Sequence, residues 1–352
     1  MASDIDFFSA DYEQARERFR RQAAIAGARL WALALDARGP VGEDLSIDVA
    51  WLGREDASRL VVVQSGVHGV EAFAGAAVQL ELLGRPPTVA TDTALVLIHV
   101  VNPYGMAWLR RVNENNVDLN RNCLDRGDRY RGAPRGYRAL DRLINPPTAP
   151  GFDFFTLRVG WRIVRHGFEA LKVAVATGQY EFPQGLFYGG AELEQGPELL
   201  RDWLEHIEAP VAEVQVLDLH SGLGRFGGIG VFPDHCTGPN AQQRLRKRFG
   251  DMHTAQGSSG PGYRIRGGVA NLYRQTFPGI TNSYLTVEFG TYSMLRVLHA
   301  LREENRWHFY GGAGLEHQAK AKLREALGPA DPRWRRSVLH HGGSLVALAA
   351  GN

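Results

Sequence analysis

The chain has 352 residues, 44% of them apolar and 22% charged, enough to bury a large core beneath a polar surface. Its 40 Lys and Arg against 38 Asp and Glu leave a net charge of +2, with the arginines scattered among acids, so nothing points to a nucleic-acid groove. Two cysteines, Cys123 and Cys236, are too few for a disulfide framework and read as reduced thiols. No apolar run reaches the roughly 20 residues that span a bilayer. The acidic start carries no basic-then-apolar leader pattern, so a cytoplasmic enzyme with no membrane or nucleic-acid partner is expected.

In chain order the pattern predicts a helix over 10–32, strands over 45–53 and 59–66, a helix over 71–83 and a strand over 94–102. Residues 124–196 break the rhythm with Gly, Pro and aromatic residues around one helical run, TLRVGWRIVRHGFEALKVAV, and read as an elaboration lying over the sheet. A helix over 197–208, strands over 213–221 and 228–233, a helix over 238–250, a strand over 283–291 and helices over 292–308 and 313–327 follow. The tail from about 329 fits a docked strand or a docked helix. Three strands are nearly continuous β-branched runs, as expected when both faces are buried. The expected class is α/β: a doubly wound, mixed but mostly parallel sheet with helices on both faces, forming one domain over 1–352 with an insertion at about 124–196.

Candidate ligands stand where strands end. His68 and Glu71 lie in SGVHGVEAF, directly behind the strand LVVVQ, and His220 ends the strand VQVLDLHSG. Functional groups in an open α/β sheet collect outside the carboxyl ends of the strands. Two histidine nitrogens and one carboxylate oxygen leave a fourth position open, the pattern of a catalytic zinc site. A lone H-x-x-E also fits an ordinary helix start, so the weight rests on the combination. Gly66 and Gly69 are expected to let the chain turn sharply there.

The segment 102–122, NPYGMAWLRRVNENNVDLNRN, is dense in carboxylate-recognising groups: Arg110, Arg111, Asn113, Asn120 and Arg121. Residues Asn113 to Asn116 read as turn formers, whereas Asn120 and Arg121 read as recognition groups. Glu288, inside the apolar run SYLTVEFGT, is costly to bury unless it is paired or used. Beside a metal, such a carboxylate can take a proton from water and pass it to a leaving amine. A salt-bridged strand end is the alternative.

Together these residues form an ordered set that resembles the zinc carboxypeptidases of the carboxypeptidase A superfamily. The set is His68-Gly-Val-Glu71, Asn102-Pro-Tyr-Gly105, Arg111-Val-Asn113, Asp118-Leu-Asn-Arg-Asn122, His220-Ser221 and Glu288, spanning roughly 60–290. The resemblance implies one Zn²⁺ held by His68, Glu71 and His220, with Glu288 as general base and acid. It implies that Arg111, in preference to Arg110, stabilises the oxyanion, and that Asn120 and Arg121 grip a substrate carboxylate. A tyrosine closing over that carboxylate would be Tyr263, ahead of Gly267 and Gly268, with Tyr273 as a rival. A specificity pocket just after the glycines would be lined by Val269, Ala270 and Asn271, with no charge to select a basic side chain.

The insertion departs from the family pattern. Its GQYEFPQGLFYGG stretch resembles an uncharacterised bacterial branch, and its length and aromatic content lead us to expect a roof over the active site. The implied reaction is hydrolysis of an amide or peptide bond next to a free carboxylate, on a small peptide or peptide-like substrate. A second reading is an N-acyl amino acid deacylase related to the aspartoacylase and succinylglutamate desuccinylase branch. An inactive peptide-binding module would have lost a ligand, the base or the clamp, and none is lost here. Cys123 reads as a packed small hydrophobe, and His235, Cys236, His340 and His341 as non-ligands.

Overall fold

A computed structural model describes residues 4–167, 177–234, 243, 245, 247–249 and 265–351. Seven strands make one sheet: β1 (Arg29–Arg38), β2 (Asp44–Leu52), β3 (Arg59–Ser65), β4 (Thr93–His99), β5 (Glu213–Gly222), β6 (Ile229–Pro233) and β7 (Thr281–Gly290), in the order β1-β2-β4-β3-β5-β7-β6. The four central strands β4, β3, β5 and β7 are mutually parallel, while β1–β2, β2–β4 and β6–β7 pair antiparallel. The sheet is therefore mixed as expected but not mostly parallel. A link as short as residues 39–43 cannot make the crossover that a parallel partner needs, so β1 folds straight back on β2.

The β-branched runs are buried on both faces. Leu60 and Val62 join one core, and Val61 and Val63 join the other. Helices α1 (Tyr12–Ile25) and α2 (Ala72–Gly84) follow, then α3 (Pro103–Ala107), α4 (Arg135–Ile144), α5 (Phe155–His166) and α6 (Gln195–Glu205). The remainder are α7 (Ala270–Thr276), α8 (Met294–Tyr310), α9 (Gln318–Leu327) and α10 (Pro332–Ala350). Phe19 of α1, Val78 of α2 and Leu345 of α10 fill the core on one side, while Leu200 of α6 and Leu272 of α7 fill the other. No helix among the described residues is long and apolar enough to cross a membrane.

Two expectations shift at the ends of the chain. The helix expected over 10–32 stops at Ile25, because Gly27 takes φ +72 and the chain re-enters as β1. There Trp31, Leu33, Leu35 and Ala37 face the core at a period of two. The ambiguous tail is the helix α10, started by the Asp331 side chain accepting from Arg333 N, with Pro332 in its first turn. The helix expected over 238–250 falls largely outside the described residues.

The segment 124–167 supplies α4 and α5 and has a small core of its own, Tyr137, Leu140, Leu143, Ile144, Phe155 and Val159, packed against Leu295 and Leu298 of α8. Its main chain is tied down by buried arginines of α8. Arg302 Nε donates to Leu143 O at 2.9 Å and Arg306 Nε to Thr148 O at 3.0 Å.

Candidate active site

β3 ends at Ser65, and the chain bends through Gly66, whose φ of +70 needs glycine. One helical turn, Gly69–Glu71, then leads into α2. Gly69 is required for a different reason from the one expected. Its φ is ordinary, but an added Cβ would run into the backbone of Gly105. Close approach lets Gly69 N donate to Arg111 O at 3.2 Å and Val70 N to Arg110 O at 2.8 Å. The H-x-x-E turn and the double-arginine segment are thus one unit.

His68 Nδ1 lies 3.0 Å from Glu71 Oε1 and 3.2 Å from His220 Nδ1, and His220 Nδ1 lies 3.3 Å from Glu71 Oε2. The three side chains are buried, and one ligand atom from each lies within 4.8 Å of the others. The outward nitrogens are held too: His68 Nε2 by Asp118 Oδ1 at 3.1 Å, and His220 Nε2 by Asp218 Oδ2 at 2.7 Å. A carboxylate on each Nε2 makes it the protonated nitrogen and turns the Nδ1 lone pairs inward. Two imidazoles, one carboxylate and two further carboxylates behind them form a donor set and a negative charge that suit Zn²⁺. Burial opposes ionisation of Asp118, yet the neighbouring Arg111 and Arg121 hold its carboxyl well below the usual range.

The two adjacent arginines part company. Arg111 lines the cavity over this cluster, pairs with Asp118 and stacks on Phe187 at 5.0 Å. Arg110 turns into the core, where Glu304 receives its Nε at 3.0 Å and Lys320 Nζ at 2.7 Å. Asn120 and Arg121 sit on the single turn Leu119–Arg121, which Asp118 starts by accepting from Asn120 N at 3.0 Å, and both line the cavity. Asn113 binds Glu194 at 2.7 Å and accepts from Val117 N, a turn-forming role.

Glu288 is paired with His220 in the β5–β7 register, and Leu223 N approaches its Oε2 at 3.4 Å. It also lines the cavity. Desolvation there, opposed by His220, pushes its carboxyl up to about 7. Ala270 does not join them. It starts α7 and is buried in the hydrophobic core, while Asn271 donates to Cys123 O at 2.9 Å, and among the described residues neither lines the cavity. Ile265, Thr286 and Phe232 line the cavity instead. Tyr263 lies outside the described residues, as do His235 and Cys236. Its rival Tyr273 is buried and donates to Gln64 Oε1 at 2.7 Å, away from the cavity.

Sequence reasoning missed the layer beneath. Asp218 accepts from Tyr284 OH at 2.5 Å and from Gln64 Nε2 at 3.1 Å, a buried network that fixes His220 from below. Its signal was the acid two residues before the histidine in LDLH, which a strand puts on the same face. The cavity has a volume of about 190 Å³ and runs from these polar groups to a wall of aliphatic side chains.

A family model described as "Protein of unknown function (DUF2817)" matches residues 8–341. The comparison with curated proteins gives no match. Among solved structures, thrombin activatable fibrinolysis inhibitor (TAFI) is similar with a TM-score of 0.50 at 12% identity, covering 97% of this chain and 73% of that one. Carboxypeptidase A from Helicoverpa armigera is similar with a TM-score of 0.44 at 14% identity, covering 99% and 77%. The metallo-carboxypeptidase from Pseudomonas aeruginosa in complex with (2-guanidinoethylmercapto)succinic acid has a TM-score of 0.37 at 16% identity, covering 93% and 69%. The likeness is one of fold, a carboxypeptidase-like α/β arrangement.

Proposed function

The chain belongs to the family described as protein of unknown function (DUF2817), and we propose that it is a zinc-dependent hydrolase of an amide or peptide bond next to a free carboxylate, in a small peptide or peptide-like molecule. The observation that carries this reading is a meeting in one cavity. His68, Glu71 and His220 converge there beside Glu288, Arg111, Asn120 and Arg121.

In this reading His68, Glu71 and His220 hold the zinc, whose Lewis acidity polarises a carbonyl and acidifies water. Glu288 takes the proton from the attacking water and returns it to the leaving amine. Arg111, oriented by Asp118 and Phe187, faces the developing oxyanion, where one positioned donor is worth about 3 kcal/mol. Asn120 and Arg121 bind the substrate carboxylate through an amide and a planar guanidinium. Tyr263 is proposed, from the resemblance alone, to close over that carboxylate.

The test is Glu288→Gln, assayed with blocked short peptides and N-acyl amino acids. The variant should keep one zinc by elemental analysis and lose about 10²–10⁴-fold in kcat. A zinc-loaded variant with near-normal turnover would overturn the assignment of the base.

A further inference from the structure

The far wall of the cavity has its own chemistry. Leu140, Leu143 and Ile144 of α4, Val159 of α5, and Leu295 and Leu298 of α8 line it. Among the described residues, the charged side chain on this wall is the half-buried Arg162, which stacks on Trp161 at 5.6 Å. The wall is fixed in place. Tyr137 OH donates to Leu186 O at 2.6 Å, and Arg302 and Arg306 hold the carbonyls of Leu143 and Thr148.

Phe187 joins the wall to the site, since it packs against the same α4–α5 cluster as Leu298 and carries the Arg111 guanidinium. The carboxylate clamp is held by other segments: Val269 N donates to Asn120 Oδ1 at 3.3 Å, and Arg121 packs on Gly178. With a carbonyl held at Arg111 and its carboxylate at Asn120 and Arg121, the aliphatic wall adjoining Phe187 in the same cavity is the surface left for the acyl side.

A peptide continuing in that direction would bring N–H and C=O groups into the cavity. Each is costly to bury without a partner, and the six aliphatic side chains offer none. A hydrocarbon chain needs no partner and gains about 0.8 kcal/mol per buried methylene.

We propose that this wall, between α4, α5 and α8, receives an unbranched aliphatic acyl chain, making N-acyl amino acids of medium or long chain the substrate class. The inference rests on the amide-hydrolase reading given above. Water adds to the acyl carbonyl and the C–N bond breaks. The acyl part leaves as a fatty carboxylate, and the amino group of the released amino acid takes both protons of the water and leaves as an ammonium.

The experiment measures kcat/KM of the zinc-loaded protein for N-acetyl, N-hexanoyl and N-decanoyl derivatives of one amino acid, and for acetylated dipeptides ending in it. The expected profile rises about fourfold per methylene beyond hexanoyl, with the decanoyl compound ahead of the peptides. A flat profile, or peptides ahead of the decanoyl compound, overturns the proposal. Val159→Phe and Leu140→Phe, on two different helices, fill the same space and should each lower the decanoyl-to-acetyl ratio about tenfold or more. If either variant keeps its circular dichroism spectrum and its ratio, the wall is not the acyl site.

Calorimetry with decanoate and acetate on the Glu288→Gln protein separates the two readings. Decanoate binding far tighter than acetate, with no substrate hydrolysed by the wild type, sinks the hydrolase reading and leaves an aliphatic-chain site standing. Hydrolysis without decanoate preference sinks this proposal alone.

Discussion

Asp118 and Asp218 each hold a histidine by the nitrogen that faces away from the metal position, so the two rings cannot rotate or change tautomer freely. Replacing Asp218 by Asn keeps the shape but weakens that hold. Zinc affinity should fall about 10–100-fold, as read by competition with a chelator. Glu288 supports a prediction about the metal-free protein. Its folded value near 7 lies above its ordinary 4.5, so the folded state binds the extra proton between those values and loses stability as pH rises through them. Glu288→Gln should therefore raise the urea midpoint of chelated protein at pH 8 and have little effect at pH 4; the reverse order would refute the desolvation account. Gly69→Ala should displace the His68–Glu71 turn from the Gly105 backbone and cost zinc binding, although Gly69 itself touches no ligand atom.

At the scale of elements, α8 buries charge as well as hydrophobes. Arg302, Glu303, Glu304, Asn305 and Arg306 are all buried, the arginines serving main-chain carbonyls of the insertion and Glu304 serving Arg110 and Lys320. Arg306→Ala leaves the Thr148 carbonyl without its donor and Glu303 with Arg302 alone, and should cost about 1–3 kcal/mol in urea unfolding. The end of β4 carries another buried group, His99, stacked on Phe19 at 4.5 Å with Nδ1 3.0 Å from Gln79 Oε1. Burial, helped by Arg20, lowers its pKa to about 3 from the ordinary 6.5. It stays neutral in the fold while the unfolded chain takes up a proton, so stability drains away as pH falls from 6.5 toward 3. The slope approaches about 1.4 kcal/mol per pH unit. His99→Leu should flatten the stability profile between pH 6.5 and 5 relative to wild type. An unchanged slope would remove His99 as its cause.

Elements were legible where their own period was strong. The runs at β3, β4 and β5 showed in sequence because burial on both faces demands nearly continuous apolar residues. β1 was hidden because the alanine-rich end of α1 continues into RLWALALDAR without a polar break, and Gly27 was the usable stop. α4 was hidden because its arginines mask an inward face of Tyr137, Leu140, Leu143 and Ile144. The same limit applies in the site: H-x-x-E, R-x-N, D-L-N-R-N and the strand-ending His220 were visible as local patterns, whereas the pocket expected at Ala270 depended on how α7 packs.

For the whole molecule the proposed metal would also be a stabilising ligand, because the three residues proposed to hold it come from β5 and from the turn after β3, 149 residues apart for Glu71 and His220. Zinc at about 100 times its dissociation constant should add about 2.7 kcal/mol to unfolding, seen as a rise in Tm that is absent in His220→Ala. Equal shifts in both proteins would place the metal elsewhere. By itself the sequence determined the chemical types present, two imidazoles, two working carboxylates and a guanidinium-amide pair, together with the strand ends that carry them, since those depend on local period and neighbours. The tertiary structure alone decided that Arg111 faces the cavity and Arg110 the core, that Asp218 and Tyr284 sit beneath His220, and that α4, α5 and α8 enclose an aliphatic wall. Each of those turns on which faces of distant segments are pressed together, a property that no stretch of sequence carries alone.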